Sequence, residues 1–217
     1  MRGLWKKTLN GLTEQPPWLF RQIFPGSLFR VGTADRRVYL TFDDGPIPEA
    51  TPEILEILKC HNVCATFFMV GDNIRKYPEI AEAVRRDGHS IGSHTFSHLQ
   101  GLKTATGLFL EDVAKGAAAA GDTPLFRPPH GLLKPAQWRQ LKRQGYRIVF
   151  FDVVSRDYDS EVTAEELERI VMKRIRPGSI VVFHDSIRTI SKLRVALHPL
   201  IERIRREGYE FDTLKWE

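Results

Sequence analysis

Val38-Tyr39-Leu40-Thr41-Phe42, followed at once by Asp43-Asp44-Gly45-Pro46, sets the reading of this chain. The first five residues are aromatic, β-branched or leucine, and the next four are a turn signal. Together they read as a buried strand that ends on two carboxylates. Outward from this point the pattern repeats. Short β-type runs at 65–70, 89–93, 125–127, 147–153, 179–183 and 210–214 alternate with helical periodicity. The helical stretches begin near Pro52 and cover 78–86, 108–120, 135–143, 163–174 and 193–206. Thr163, with Glu166 three residues on, is a helix-start signal. Strands alternating with helices imply a parallel sheet covered by helices. About seven such strands suit a distorted (β/α) barrel in one α/β domain. Residues 37–217 form that domain, and residues 1–36 read as an N-terminal extension packing on it. The aromatic and basic stretch 18–29 is expected to lie across the end of the domain; the other course open to it is a membrane surface.

Bulk properties narrow the function classes. The chain has 217 residues and a net charge of +5, spread without a dense Lys/Arg block. No nucleic-acid partner is therefore expected. Two cysteines are no disulfide framework. Cys60 and Cys64 read as small packing residues, because no second Cys/His pair completes a zinc site with Cys60-His61-Asn62-Val63-Cys64. No run reaches the roughly 20 apolar residues of a membrane span. Residues 1–7 lack the apolar core of a signal peptide. The default expectations are a cytoplasmic location and a monomer.

In folds of this class the reactive groups sit beyond the C-terminal ends of the strands. Four polar clusters occupy such places. Asp43 and Asp44 repel one another unless a cation or a proton resolves the conflict. His94 and His98 have the i, i+4 spacing that, on one helical turn, lets two imidazoles share a metal. Arg127, before Pro128-Pro129-His130, is a cation held at a rigid turn. His184 and Asp157, each following a strand, are a candidate acid and its carboxylate support. His89, His61 and His198 lack spacing partners and read as packing or surface residues.

Taken in order, Thr41-Phe42-Asp43-Asp44-Gly45, His94-x-x-x-His98, Arg127-Pro128-Pro129 and the 178–185 string ending Phe183-His184-Asp185 resemble the polysaccharide deacetylases. These are the fourth family of carbohydrate esterases, with the chitooligosaccharide deacetylase homology domain. The resemblance spans about residues 36–214. It implies a barrel fold and hydrolysis of acetyl groups from an N-acetylated glycan: chitin-like, peptidoglycan or envelope polysaccharide. It also implies that Asp44, His94 and His98 ligate a divalent ion, zinc as a rule, with cobalt or another ion able to substitute. Asp43 would be the base, Arg127 its orienting partner, His184 the acid and Asp157 the acid's partner. The His130 N–H would help hold the oxyanion, and Tyr158 would contact substrate.

The chain departs from the family at three places. His130 stands where Tyr is usual, and Val154 and Tyr158 replace Asp and Trp, with Asp152 nearby. A related amidase or esterase acting on a non-sugar substrate, and a non-catalytic glycan- or nucleic-acid-binding domain, are the other readings.

Overall fold

The computed structural model describes residues 14–215. The signal-peptide reading of residues 1–7 falls outside them. Val38 to Phe42 lies within β1 (Arg37–Asp43). It is followed by β2 (Thr66–Met69), β3 (Ser90–Ser93), β4 (Leu125–Phe126), β5 (Arg147–Ile148), β6 (Val153–Val154), β7 (Ile180–His184) and β8 (Glu210–Phe211). The sheet runs β5-β4-β3-β2-β1-β7-β6, with β8 paired to the start of β1. Every ladder in it is parallel.

Helix α1 (Trp18–Ile23) precedes β1, and the helices between strands are α2 (Thr51–Cys60), α3 (Gly71–Lys76), α4 (Pro78–Arg86), α5 (Thr106–Ala119), α6 (Pro135–Arg143), α7 (Ala164–Arg174) and α8 (Ile190–Arg206). Pro52 stands in the first turn of α2, where its missing N–H costs nothing. Thr163 caps α7, its hydroxyl accepting from the Glu166 N–H at 3.2 Å.

The sequence reading of 147–153 as one strand is corrected. The segment begins on one edge of the sheet as β5 and ends on the other as β6. Val149 to Asp152 thus crosses the gap in the curled sheet. The chain before β1 fills this seam. Leu28 bridges Val149 in parallel, and Arg30 bridges Ser179 in antiparallel fashion. A continuous β-type composition cannot reveal where a strand changes neighbours, because both halves are equally buried.

Alternation along the strands sorts the core. On β1, Val38, Leu40 and Phe42 face the helices and pack with Ile54 and Leu58 of α2 and Leu197 and Ile201 of α8. Tyr39 faces the barrel interior with Phe68, Leu125, Val149, Ile180 and Leu214, which plug one end. Thr41 and Asp43 continue the same inward row toward the other end. Each fully buried large apolar side chain of this set contributes about 1.5–3 kcal/mol. The plug therefore holds the rigid floor on which the polar end is built.

Cys60 and Cys64 are exposed, which corrects their reading as packing residues. They lie at the end of α2 and in the loop after it, beyond the apolar stripe of Ile54, Leu55, Ile57 and Leu58. His89 is buried and accepts the Ala65 N–H on Nδ1. His61 and His198 meet each other at the surface, ring nitrogens 2.9 Å apart.

Candidate active site

The register of two strands places the first pair of groups. Asp43 and His184 are Cα partners on β1 and β7, so their side chains leave the same end of the barrel side by side. Arg127, just past β4, reaches across the interior. Its NH1 donates to Asp43 Oδ1 at 2.7 Å and to Thr41 Oγ1 at 2.7 Å, and its NH2 donates to the Phe150 carbonyl at 3.0 Å. Its guanidinium carbon lies 4.1 Å from the centroid of the Phe68 ring. The side chain is 1% exposed, so this is no surface ion pair. Burial pulls the guanidinium pKa down, and the Asp43 charge works against that.

Asp44, one residue on, cannot point the same way. Its backbone turns to φ 86°, held by Asn73 Nδ2 donating to its carbonyl at 2.8 Å. The carboxylate then faces two imidazoles: His98 Nε2 is 3.2 Å from Asp44 Oδ1 and His94 Nε2 is 3.6 Å away. The three donor atoms lie within 4.8 Å of one another. Burial works to raise the Asp44 carboxyl, but the His98 hydrogen bond and the nearby His184 charge hold it well below the usual carboxylate range.

The histidine spacing does not act through a helix, contrary to the sequence reading. Residues 94–98 form a loop after β3, with Thr95 at φ 65° and His98 at φ 54°. The loop is moulded by α5. Asp112 Oδ2 accepts the Phe96 and Ser97 N–H groups at 3.1 and 3.0 Å. Gly116 leaves room for the Thr95 carbonyl carbon, which a Cβ there would meet at 2.4 Å.

This arrangement suits a divalent cation. His94 Nδ1 lies 2.8 Å from the Arg127 carbonyl oxygen, to which it donates as the Nδ1–H tautomer, leaving the Nε2 lone pair aimed at Asp44. Burial lowers the His94 pKa to about 4, so the ring is neutral, as a metal ligand must be. Two imidazole nitrogens and one carboxylate oxygen are a three-donor set that leaves coordination positions open.

His184 is prepared for the opposite task. Its backbone N–H donates to Asp157 Oδ2 at 2.6 Å, and its Nδ1 meets Asp157 Oδ1 at 2.9 Å. Burial alone would lower its pKa, but the Asp157 charge and hydrogen bond overcome that and raise it to about 9. The imidazolium is thus the resting form at neutral pH, with its second N–H free of the carboxylate.

Asp43, Asp44, His94, His98, His130, Tyr158 and His184 line one cleft of about 730 Å³. Arg127 and Asp157 lie beneath it, each 1% exposed. His130 adopts φ 59°, and its ring meets the His98 ring edge-to-face at 5.2 Å. Tyr158 stands edge-on to His184 at 5.5 Å. Val154, at the position where the family usually has Asp, also lines the cleft. Asp152 takes no part in it. That side chain is fully buried in an ion cluster with Arg21 at 2.6 Å, Arg176 at 2.8 Å and Ser179 at 2.8 Å.

Three roles escaped the sequence reading, although Asp185 itself ends the 178–185 string. Asp112 is a carboxylate buried beside Phe109 and Val113 on α5, a signal that only helical periodicity could have offered. Asp185 accepts from the Gly45 N–H at 2.9 Å and from Thr51 Oγ1 at 2.7 Å, pinning the turn that carries Asp44. Burial raises its carboxyl to about 8 against those two hydrogen bonds. The third is the wall formed by Gln15, Pro16, Pro17 and Phe20.

Known proteins carry the same architecture. The family model described as polysaccharide deacetylase matches residues 30–149. A peptidoglycan-N-acetylglucosamine deacetylase of Bacillus cereus is 30% identical over 191 residues, covering 86% of this chain and 90% of its own length. A chitooligosaccharide deacetylase of Azorhizobium caulinodans is 34% identical over 167 residues, 74% of this chain and 79% of its own. The crystal structure of a peptidoglycan N-acetylglucosamine deacetylase in complex with 4-naphthalen-1-yl-N-oxidanyl-benzamide superposes with a TM-score of 0.85 at 30% identity. That match covers 91% of this chain and 94% of the other. A barrel of this strand order, a site of this geometry and these matches together place the chain in the polysaccharide deacetylase family.

Proposed function

We propose that the protein hydrolyses the N-acetyl group of an N-acetylglucosamine-type sugar within a glycan, with a divalent ion, zinc by preference, at Asp44, His94 and His98. One observation carries this reading: Asp43 and His184 are register partners at the mouth of one cleft, beside the three donor groups. The two have opposite electrostatic support, Arg127 beneath the carboxylate and Asp157 beneath the imidazole. A glycan-binding module needs neither support. The names of the relatives, which act on peptidoglycan and chitooligosaccharides, favour a sugar over other amides.

A bound divalent ion supplies Lewis acidity toward the acetyl oxygen and makes water more acidic. The protein's own groups do the rest. Asp43, kept in place by Arg127 and Thr41, takes the proton of the attacking water. The His130 backbone N–H, presented at a left-handed turn, stabilises the developing oxyanion. His184 gives its Nε2 proton to the sugar nitrogen, because an amide anion is too poor a leaving group to depart. Tyr158 and Val154 wall the sugar. The products are acetate and a free amino sugar.

Acetate release from N-acetylglucosamine oligomers and peptidoglycan fragments, set against simple acetamides and acetyl esters, tests the substrate class. Turnover confined to the glycans supports it. Turnover of the small amides or esters alone points to a different amidase or esterase on the same site.

A further inference from the structure

Arg188 lines the cleft beside Ser186 and Thr189 and is exposed. Among the described residues it has no ion pair, hydrogen bond or ring contact. Its backbone, by contrast, is held on both sides. Asp185 is tied to the Gly45 N–H and the Thr51 hydroxyl. The Thr189 hydroxyl donates to the His184 carbonyl and accepts from the Ser186 N–H at 3.3 Å. A fixed turn therefore presents this cation four residues after His184, at the same cleft.

The carboxylates around it are engaged elsewhere. Asp43 and Asp44 are the only ones that line the cleft among the described residues. Arg127 holds the first, and the second faces His94 and His98. Asp157 supports His184, Asp159 is paired with Arg156 at 2.5 Å, and Asp185 pins the turn before Thr51. Val154 lines the cleft at the position where the family usually has Asp. The chain thus lacks an anion there and keeps a free cation. The divalent ion proposed above would add to the positive excess. A cleft with one excess sign of charge focuses its field on an incoming ligand. The planar arginine fork matches the two oxygens of a carboxylate or a phosphate.

We propose that Arg188 is a specificity-determining residue that pairs with an anionic group, carboxylate or phosphate, carried by the glycan close to the acetamido group under attack. This rests on the deacetylase reading of the same cleft and narrows it to acidic N-acetylated sugars.

The experiment measures sugar affinity in zinc-loaded Asp43→Asn, where turnover does not interfere, and kcat/KM in the wild type. Two pairs of probes each differ in one anionic group. The first is a disaccharide of N-acetylglucosamine and N-acetylmuramic acid, with its carboxyl intact or reduced to the alcohol. The second is an N-acetylglucosamine disaccharide with or without a 6-phosphate. In at least one pair the anionic member is expected to bind about tenfold tighter or more, and that pair identifies the anion. The ratio should shrink as salt rises. Arg188→Gln should bring the ratio close to one, through KM rather than kcat, and Arg188→Lys should keep part of it, since a point charge remains. The melting temperature should not move, because Arg188 holds nothing within the fold. Arg139→Gln, which removes an exposed arginine on α6 outside the cleft lining, should leave the ratio as it is. A ratio near one for both pairs, no binding of any of the four sugars, a ratio that survives Arg188→Gln, or an equal loss in Arg139→Gln would overturn the proposal. Acetate release without a charge preference sinks this inference alone. A charge preference in binding, with no acetate release from any of the sugars, sinks the deacetylase reading alone.

Discussion

Arg127 NH1 lies 2.7 Å from Asp43 Oδ1 inside a barrel where the arginine is 1% exposed. A buried charge of either sign alone would be costly, so each fixes the other's position. The pair also sits on the Phe68 ring and is extended by Thr41, so the carboxylate has one available direction.

Removing the arginine should therefore do more than lower activity. Arg127→Ala leaves Asp43 buried without its counter-charge and is expected to cost about 3–5 kcal/mol of stability. Urea denaturation measures this. A loss within experimental error would mean that the pair is not buried in solution.

Asp43→Asn keeps the shape and removes the base. The expected outcome is a fall in kcat of about 10²–10⁴-fold. Bound metal should remain near the wild-type amount, because Asp43 is not among the three donors. Elemental analysis beside the kinetic assay checks both halves.

Asp112→Ala tests the loop that carries both histidines. The Ser97 N–H loses its acceptor, and the Phe96 N–H keeps only the backbone carbonyl of residue 112. About 1–3 kcal/mol of stability should go with these bonds. Metal affinity should fall by about 10–100-fold, the range for supports just behind a ligand. Thermal melts and a competitive chelator titration read the two effects.

Asp157→Asn gives a pH signature. The His184 pKa, raised to about 9 in the folded protein, exceeds its ordinary value of 6.5. The pairing therefore stabilises the fold fully below about 6.5, and that stabilisation is lost as pH rises through about 9. The melting-temperature gap between wild type and Asp157→Asn should be widest under mildly acidic conditions and should narrow above about 9. The alkaline limb of kcat/KM should move to lower pH in the variant. A gap that does not change with pH would contradict the pairing.

Much of this was legible in the sequence, for physical reasons. A parallel strand buried on both faces must be nearly continuous in apolar residues, and 38–42 and 180–183 are so. The polar residues that follow such strands stand out against them, as Asp43, Asp44, Arg127 and His184 do. What stayed hidden depends on tertiary register. The edge-to-edge crossing of 147–154 looks like one strand. The loop at 94–98 has helical spacing but left-handed turns at Thr95 and His98. Asp112 and Asp185 do their work through backbone N–H groups, which leave no pattern in the sequence. The wall of the cleft at 15–20 lies before the first strand and closes on it through the Arg21–Asp152 and Glu14–Arg174 contacts and the packing of Phe20 on Phe150.

The proposed glycan deacetylation rests on Asp44, His94 and His98 forming one metal site. Acetate release from N-acetylglucosamine oligomers, measured against divalent ion added back to chelator-stripped protein, tests it most directly. No turnover is expected without the ion, with recovery that saturates near one ion per chain and neither binding nor recovery in His94→Ala. Full activity in the stripped protein, or full metal binding in His94→Ala, would contradict it.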